Sequence, residues 1–488
     1  MALRVQIGAI PEFLLAFLIT QPQLPRPMSQ AVQQLSQRNG LGELLQLAWP
    51  VVISRLGIMV MGLTDAIVVG RHSAEQLAFH ALGWAPTSVM LTTAVGLLMG
   101  VQVMTARLVG AGRPQEVGAV LRRGVIYSLQ IGIASVLLLT LAGPWALHQI
   151  GIEPALADGA SLALIVFSLS LPMYLVSVAA QFFLEGLGKP APGMNAMWLA
   201  NGVNLALNLW LVPGLSGLPV EGAVASAWAT FFARASLAAF LLVYIWRMPE
   251  ARALGVFSPP VARREDIIEQ RKVGYAAGVS YFIEVSAFAA MTLVAGLLGA
   301  VGTAAWTVVL NVSAVVFMVP LGLAAATGVL VSRAYGAGDP AGVQRAGWTG
   351  MAVVGVIAFV IALGVWPAAE LISTAYTRDP TVLAMAAGAL VLAALFFVAD
   401  ALQVVAAQAL RSAADVWWPT LMHLFSYGLV MIPLGYGLSV THGQGVNGIV
   451  WACIIASLIS AGLLCGRFWR VSRRRLQTPR IQPSSLST

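Results

Sequence analysis

Three carboxylates stand where an apolar chain should not carry them. Asp65 lies in Leu56–Arg71 (LGIMVMGLTDAIVVGR), Glu284 in VSYFIEVSAFAAM and Asp400 in LFFVADALQVV. A carboxylate near the middle of a bilayer costs roughly 2.5–3.5 kcal/mol on insertion scales, so each is a candidate site for a cation or a proton. Glu284 shares a helix face with Tyr281 and Phe288, and Asp400 shares one with Phe396 and Phe397, at spacings of three and four residues. An acid flanked by aromatic rings suits an amphipathic organic cation, held by charge and by cation–π attraction. The opposing reading pairs each acid with a buried base, and only Arg55 and Arg234 fall within the apolar runs away from their ends. Asn201, Asn204 and Asn208 follow in ANGVNLALNLW, with Asn204 and Asn208 on one helix face, and Thr230 lies in the next apolar run. Amide oxygens beside a carboxylate can ligate a hard cation such as Na⁺. Asn also serves simply as an interhelical hydrogen bonder in membranes, and both readings stand at this point.

The composition decides what must position these groups. Of the 488 residues, 59% are hydrophobic and 9% charged. A soluble domain carries about 25% charged residues. Apolar runs of membrane-crossing length recur from end to end, which makes this a polytopic membrane protein and excludes a soluble enzyme. The net charge of +8 would suggest nucleic acid in a soluble protein. Here most bases fall between the apolar runs and read as topology signals and contacts with anionic lipid. Cys453 and Cys465 share the last run, and the five histidines form no metal-binding spacing. No phosphate-binding loop, nucleophile elbow or zinc-binding helix motif is present, so neither resident ATP nor catalysis is expected.

Twelve spans are predicted: 44–70, 77–109, 117–141, 160–187, 192–211, 220–246, 272–299, 302–335, 342–366, 382–410, 417–440 and 446–469. With the N-terminus inside, the inner segments carry 23 Lys and Arg and the outer loops 2, which places both termini in the cytoplasm. RLVGAGRP at Arg107–Pro114 recurs as RAYGAGDP at Arg333–Pro340, and Val220-Glu-Gly222 recurs as Val446-Asn-Gly448, both 226 residues later. Ala180-Gln181 recurs as Ala407-Gln408 at nearly the same offset. The chain is therefore a duplicated six-helix unit. Both halves share one orientation, so their pseudo-two-fold axis runs along the membrane normal with the substrate path between them. The expected organisation is an N-terminal extension (1–43, with an alternative start at Met28), an N-lobe (44–246), a flexible cytoplasmic linker (247–271), a C-lobe (272–470) and a basic tail (471–488). The GAG-x-P segments read as tight helix-ending loops or as hinges.

These segments together resemble the multidrug and toxic compound extrusion (MATE) family. The resemblance runs from about Gly42 to Arg470. It is carried by LAWP at Leu47–Pro50, the Asp65 segment ending in VGR, RLVGAGRP, EGLGKP at Glu185–Pro190, NLALN and GAVASAWAT ending at Thr230. The second half adds YFIEV around Glu284 and VADALQVVAAQALR around Asp400. The resemblance implies a two-lobed, twelve-helix monomeric antiporter of a bacterial inner membrane. It would export cationic lipophilic drugs and dyes in exchange for Na⁺ or H⁺, with no cofactor beyond the coupling ion. Asp65 matches the family's first-helix acid, and Asn204, Asn208 and Thr230 match the polar cluster around it. Some relatives have Asp where this chain has Asn208, which removes one charge and weakens the case for tight Na⁺ binding there. Glu284 and Asp400 match the C-lobe acids of the NorM-type branch, often Na⁺-coupled. Na⁺ could therefore sit at Glu284 and Asp400, or at Asp65 and Asn204. Substrate contacts are expected from Asp65, Tyr281, Phe288, Phe396, Phe397 and Asp400. The alternative is a flippase for lipid-linked precursors, which should carry basic residues in its cavity; the mid-membrane charges here are acids.

Overall fold

The computed structural model describes residues 40–149, 153–258 and 264–473. The extension up to residue 39 with the alternative start at Met28, Pro259-Pro260 of the linker, and the tail beyond Arg473 lie outside the described residues. Within them the chain is built of helices joined by short turns, without a strand. The first half holds α1 (Leu41–His72), α2 (Ala74–Gly110), α3 (Pro114–Gln149), α4 (Pro154–Gly186), α5 (Ala191–Leu211) and α6 (Gly222–Arg247). The second holds α7 (Arg264–Leu297), α8 (Gly299–Gly336), α9 (Pro340–Thr374), α10 (Pro380–Ser412), α11 (Trp417–Thr441) and α12 (Gly445–Arg473). Eleven of these are long and apolar enough to cross a membrane, and α5 supplies the twelfth expected span with 21 residues that include the three asparagines.

Prolines and caps explain several boundaries. Pro154, Pro340 and Pro380 open their helices, where a missing N–H costs nothing. Ser73 caps α2 and Asp379 caps α10, its Oδ1 accepting from the amides of Thr381 and Val382. The third and ninth spans run past their expected ends at 141 and 366, because Pro144 and Pro367 sit inside α3 and α9 without ending them. Membrane helices tolerate such prolines where neighbouring groups meet the freed carbonyls. The linker is shorter than expected, since α7 starts at Arg264 rather than Lys272. Glu265 and Asp266 in its first turn favour helix against the macrodipole. The described part of the linker is also tied down: Arg122 donates to the carbonyls of Gly255 (2.8 Å) and Val256 (2.7 Å).

The two lobes repeat the same turns. Ala111 N–H donates to Arg107 O and Arg113 N–H to Leu108 O; 226 residues on, Ala337 N–H donates to Arg333 O and Asp339 N–H to Ala334 O. Gly112 (φ 70°) and Gly338 (φ 67°) take the left-handed position that ends each helix, so the GAG-x-P segments are tight loops. Gly188 (φ 77°) has its counterpart in Ala414 (φ 69°), where the second copy bears the left-handed conformation without glycine.

The polar ties between the lobes obey the same symmetry. Arg107 Nη1 pairs with Glu269 Oε1 at 2.5 Å, and Arg333 Nη1 pairs with Glu43 Oε1 at 3.2 Å. Both partners shift by 226 residues, so these are two copies of one contact. Arg107 Nη2 also donates to the carbonyls of Arg411 and Ser412, and its guanidinium lies 4.8 Å from the centre of the Tyr335 ring. A side chain at Gly110 would collide with Arg333 O, and one at Gly336 with Arg107 O, each at 2.1 Å. Arg107 and Arg333 therefore do not act as loop charges, as the topology reading had them: both are buried or nearly so between lobes. Among the described residues every hydrogen bond joining the halves lies toward this basic end, including Gln408 Nε2 to Gln102 Oε1 at 3.2 Å. Removing both arginines (Arg107→Ala with Arg333→Ala) is expected to part the lobes here. Spin labels at Gln115 and Ala341 should report a longer and broader distance distribution, and an unchanged distribution would mean that the ion pairs do not hold this end closed.

Candidate functional site

The first-lobe site is built by α1, α5 and α6. Asp65 is 3% exposed. Its Oδ1 accepts from Asn204 Nδ2 at 2.9 Å and Asn208 Nδ2 at 2.7 Å, and its Oδ2 accepts from Thr230 Oγ1 at 2.7 Å. The i, i+4 spacing on α5 delivers both amides to one carboxylate oxygen, as the sequence implied. Asn201 is not part of the cluster: it turns back to Gly57 O and Met197 O. The amide oxygens of Asn204 and Asn208 are buried without hydrogen-bond partners. In this arrangement three donors satisfy a carboxylate. A hard cation at Asp65 would require the two amides to turn over and present those oxygens. Arg234, one turn from Thr230 on α6, does not pair with Asp65. It donates to Ser170 Oγ at 2.7 Å and lies between the rings of Trp84 and Tyr174.

The second-lobe site is built by α7, α10, α11 and α12. Gln403 Nε2 reaches both Glu284 Oε1 (3.4 Å) and Asp400 Oδ1 (3.2 Å). The hydroxyl of Tyr427 donates to Asp400 Oδ1 at 3.3 Å and contacts Ser457 Oγ at 3.1 Å. Two buried carboxylates thus share one amide donor, and among the described residues neither forms an ion pair. Phe288, Phe396, Phe397 and Tyr427 form an aromatic wall beside them, with ring centres 6.1–6.3 Å apart. Gln403 is one turn from Asp400, a spacing that could have singled it out. Tyr427 carried no such signal; it sits in a wide π turn over Leu424–Met431 that a helical period does not reveal.

Between the lobes lies a small cavity of about 50 Å³. Tyr281 and Glu284 border it, together with Arg55, Gln408, Arg411 and His423. Asp65, Phe288, Phe396, Phe397 and Asp400, expected as substrate contacts, do not border it. Arg55 pairs with Glu185 at 3.5 Å, and Gln102 donates to the same carboxylate at 2.6 Å. Glu185 is thus a fourth buried acid, which its position at the end of an apolar run concealed.

The MatE family model matches residues 50–210 and again 276–437, once on each lobe. The chain belongs to the MatE family. The chain is 58% identical to the probable multidrug resistance protein NorM of Caulobacter vibrioides over 88% of this chain and 92% of that protein. It is 32% identical to the multidrug resistance protein PmpM of Pseudomonas aeruginosa over 91% and 94%. A solved outward-facing multidrug resistance MATE family transporter superposes with a TM-score of 0.80 at 19% identity, covering 88% of this chain and 95% of that one, which shows a shared fold. The chain is a MATE family member of the NorM type, and its twelve helices form the two-lobed MATE fold.

In this MATE protein Thr230 is the donor to Asp65 Oδ2, so Thr230→Val should cost about 1–3 kcal/mol, the usual penalty for an unsatisfied buried acceptor. Thermal unfolding in detergent measures it. In an Asp65→Leu background the same change should cost less than half as much, because no carboxylate is left to satisfy.

Proposed function

We propose that this chain is a multidrug efflux antiporter of a bacterial inner membrane, exporting cationic lipophilic compounds in exchange for Na⁺ or H⁺ by alternating access. The observation that carries the reading is the sharing of Gln403 Nε2 by Glu284 and Asp400 without an ion-pairing base. Two like charges held this close inside a protein repel one another, and a bound cation or proton relieves them. An incoming coupling ion and an outgoing organic cation then compete for the same negative charge. The ion drives transport only through its difference in affinity between the two lobe arrangements. One elementary charge moving down the membrane potential supplies about 2.3 kcal/mol per 100 mV. Asp65 would act as a second exchange site, since its three donors stabilise an empty carboxylate between binding events. The multidrug resistance names of the NorM and PmpM relatives support the substrate class.

With the basic end in the cytoplasm, as the excess of bases there favours, the end at which hydrogen bonds join the lobes faces inward. The basic cavity lining expected of a flippase is partly present, in Arg55 and Arg411. That charge argument therefore separates the two readings less well than the sequence implied, and the 58% identity to a NorM protein favours efflux.

Uptake of a fluorescent cation by everted vesicles, given either a Na⁺ or a pH gradient, tests the coupling. Wild type is expected to respond to Na⁺, and Asp400→Asn to lose that response at least tenfold. Transport driven by pH alone and retained in the variant would place coupling at Asp65 instead. Asp65→Asn should abolish efflux under both gradients while the protein still elutes as a folded species; undiminished efflux would remove Asp65 from the mechanism.

A further inference from the structure

The duplication lets one lobe serve as the control for the other. In the first lobe Arg55 on α1, which borders the cavity, and Glu185 on α4 form an ion pair. The residues 226 positions later are Tyr281 on α7 and Arg411 on α10. The acid has become the arginine and the arginine has become a tyrosine, so the second lobe keeps a cation and loses its counter-charge. Arg411 is 2% exposed. Its Nη2 donates to Ser280 Oγ at 2.7 Å, its guanidinium lies 6.0 Å from the centre of the Tyr281 ring, and its Nε has no hydrogen-bond partner. Among the described residues no carboxylate lies within ion-pair distance of it. Around it in the same cavity, Gln408 Oε1 and His423 Nε2 are also without partners.

Position at the last turn of α10 and the tyrosine ring each offset part of the cost of burying this charge, the first through the helix dipole and the second through its face. A guanidinium removed from water still lacks what carboxylates supply at Arg55, Arg107 and Arg333; Arg234 lacks it too, but only Arg411 of these two borders the cavity. Its planar fork of donors matches a carboxylate in shape as well as charge. The acid nearest along the wall is Glu284, one turn of α7 from the Ser280 that Arg411 contacts. Neighbours at that spacing are roughly 5–6 Å apart at Cβ. Both Glu284 and Arg411 border the cavity.

We propose that Arg411 is an anchor for the anionic end of amphoteric substrates, molecules bearing a carboxylate and a separated cationic centre, with Glu284 receiving the cation. The proposal rests on the efflux reading above and adds a selectivity to it. A purely cationic substrate leaves Arg411 uncompensated in the bound state, whereas an amphoteric one supplies the acid that Glu185 supplies in the first lobe. The C-lobe wall thus favours a molecule neutral overall but with its charges apart, a class that acids alone would not favour.

The test uses rhodamine B, whose carboxylate is free, and its methyl ester, a pure cation of nearly the same shape. Binding to the purified protein is followed by fluorescence polarisation, and uptake by everted vesicles is followed in parallel. Wild type should bind the free acid at least as tightly as the ester. In Arg411→Gln the acid-to-ester preference should fall about tenfold or more. Tyr281→Glu leaves the arginine in place but gives it an internal carboxylate, and should lower the preference in the same direction. A wild type that favours the ester tenfold, or a ratio unmoved by both variants, overturns the anchor. Equal weakening of both dyes also overturns it, since that is what loss of cavity structure would produce. If wild-type vesicles move neither dye under either gradient, the efflux reading fails; if they move the ester and the ratio is unmoved, the anchor alone fails.

Discussion

A charge taken out of water must be met by another charge or by hydrogen bonds, and the architecture around every buried ionisable group in this chain follows from that demand. Desolvation in the interior costs several kcal/mol per ion even after relaxation. Asp65 is met by two amides and a hydroxyl, Glu185 by Arg55 and Gln102, Arg107 by Glu269 and two carbonyls. Glu284 and Asp400 are met least well, sharing one amide and a tyrosine hydroxyl. On the proposed function, the under-compensated pair is the one with most affinity left for a mobile ligand.

The apolar pattern was legible in the sequence because length and hydropathy are properties of single segments. All twelve spans were read, and the duplication followed from repeated turns. The Asp65 nest was legible as well, because i, i+4 spacing brings Asn204 and Asn208 to one face and few other groups of that polarity occur in the span. Depth was not legible. Counting Arg107, Arg333 and Arg411 as loop bases gave an orientation, but these residues fold inward and spend their charge between lobes. Glu185 escaped notice for the same reason. Contacts across helices far apart in sequence, such as Tyr427 to Asp400, leave no periodic trace at all. The cavity showed the same limit: facing residues on one helix, as with Phe396 and Asp400, did not tell which face turns to the cavity and which to the lobe interior.

The way the two-fold symmetry is kept and broken separates scaffold from chemistry. At the ion pairs and turns where the lobes touch, both copies are retained: Arg107 with Arg333, Glu43 with Glu269, Gly110 with Gly336, and Gly112 with Gly338; the Gln102–Gln408 contact has no such copy. A contact that must close across a two-fold axis works best when each lobe offers the same pair, because neither lobe then has to bend to meet the other. Where the lobes hold charge away from that contact, no copy is retained. The position of Asp65 is Met291 in the second lobe, and that of Glu284 is Ile58 in the first. Arg55 and Glu185 become Tyr281 and Arg411. A closing surface shared by two copies and a set of charges shared by none is the arrangement a transporter needs if its lobes move as equals while binding different things.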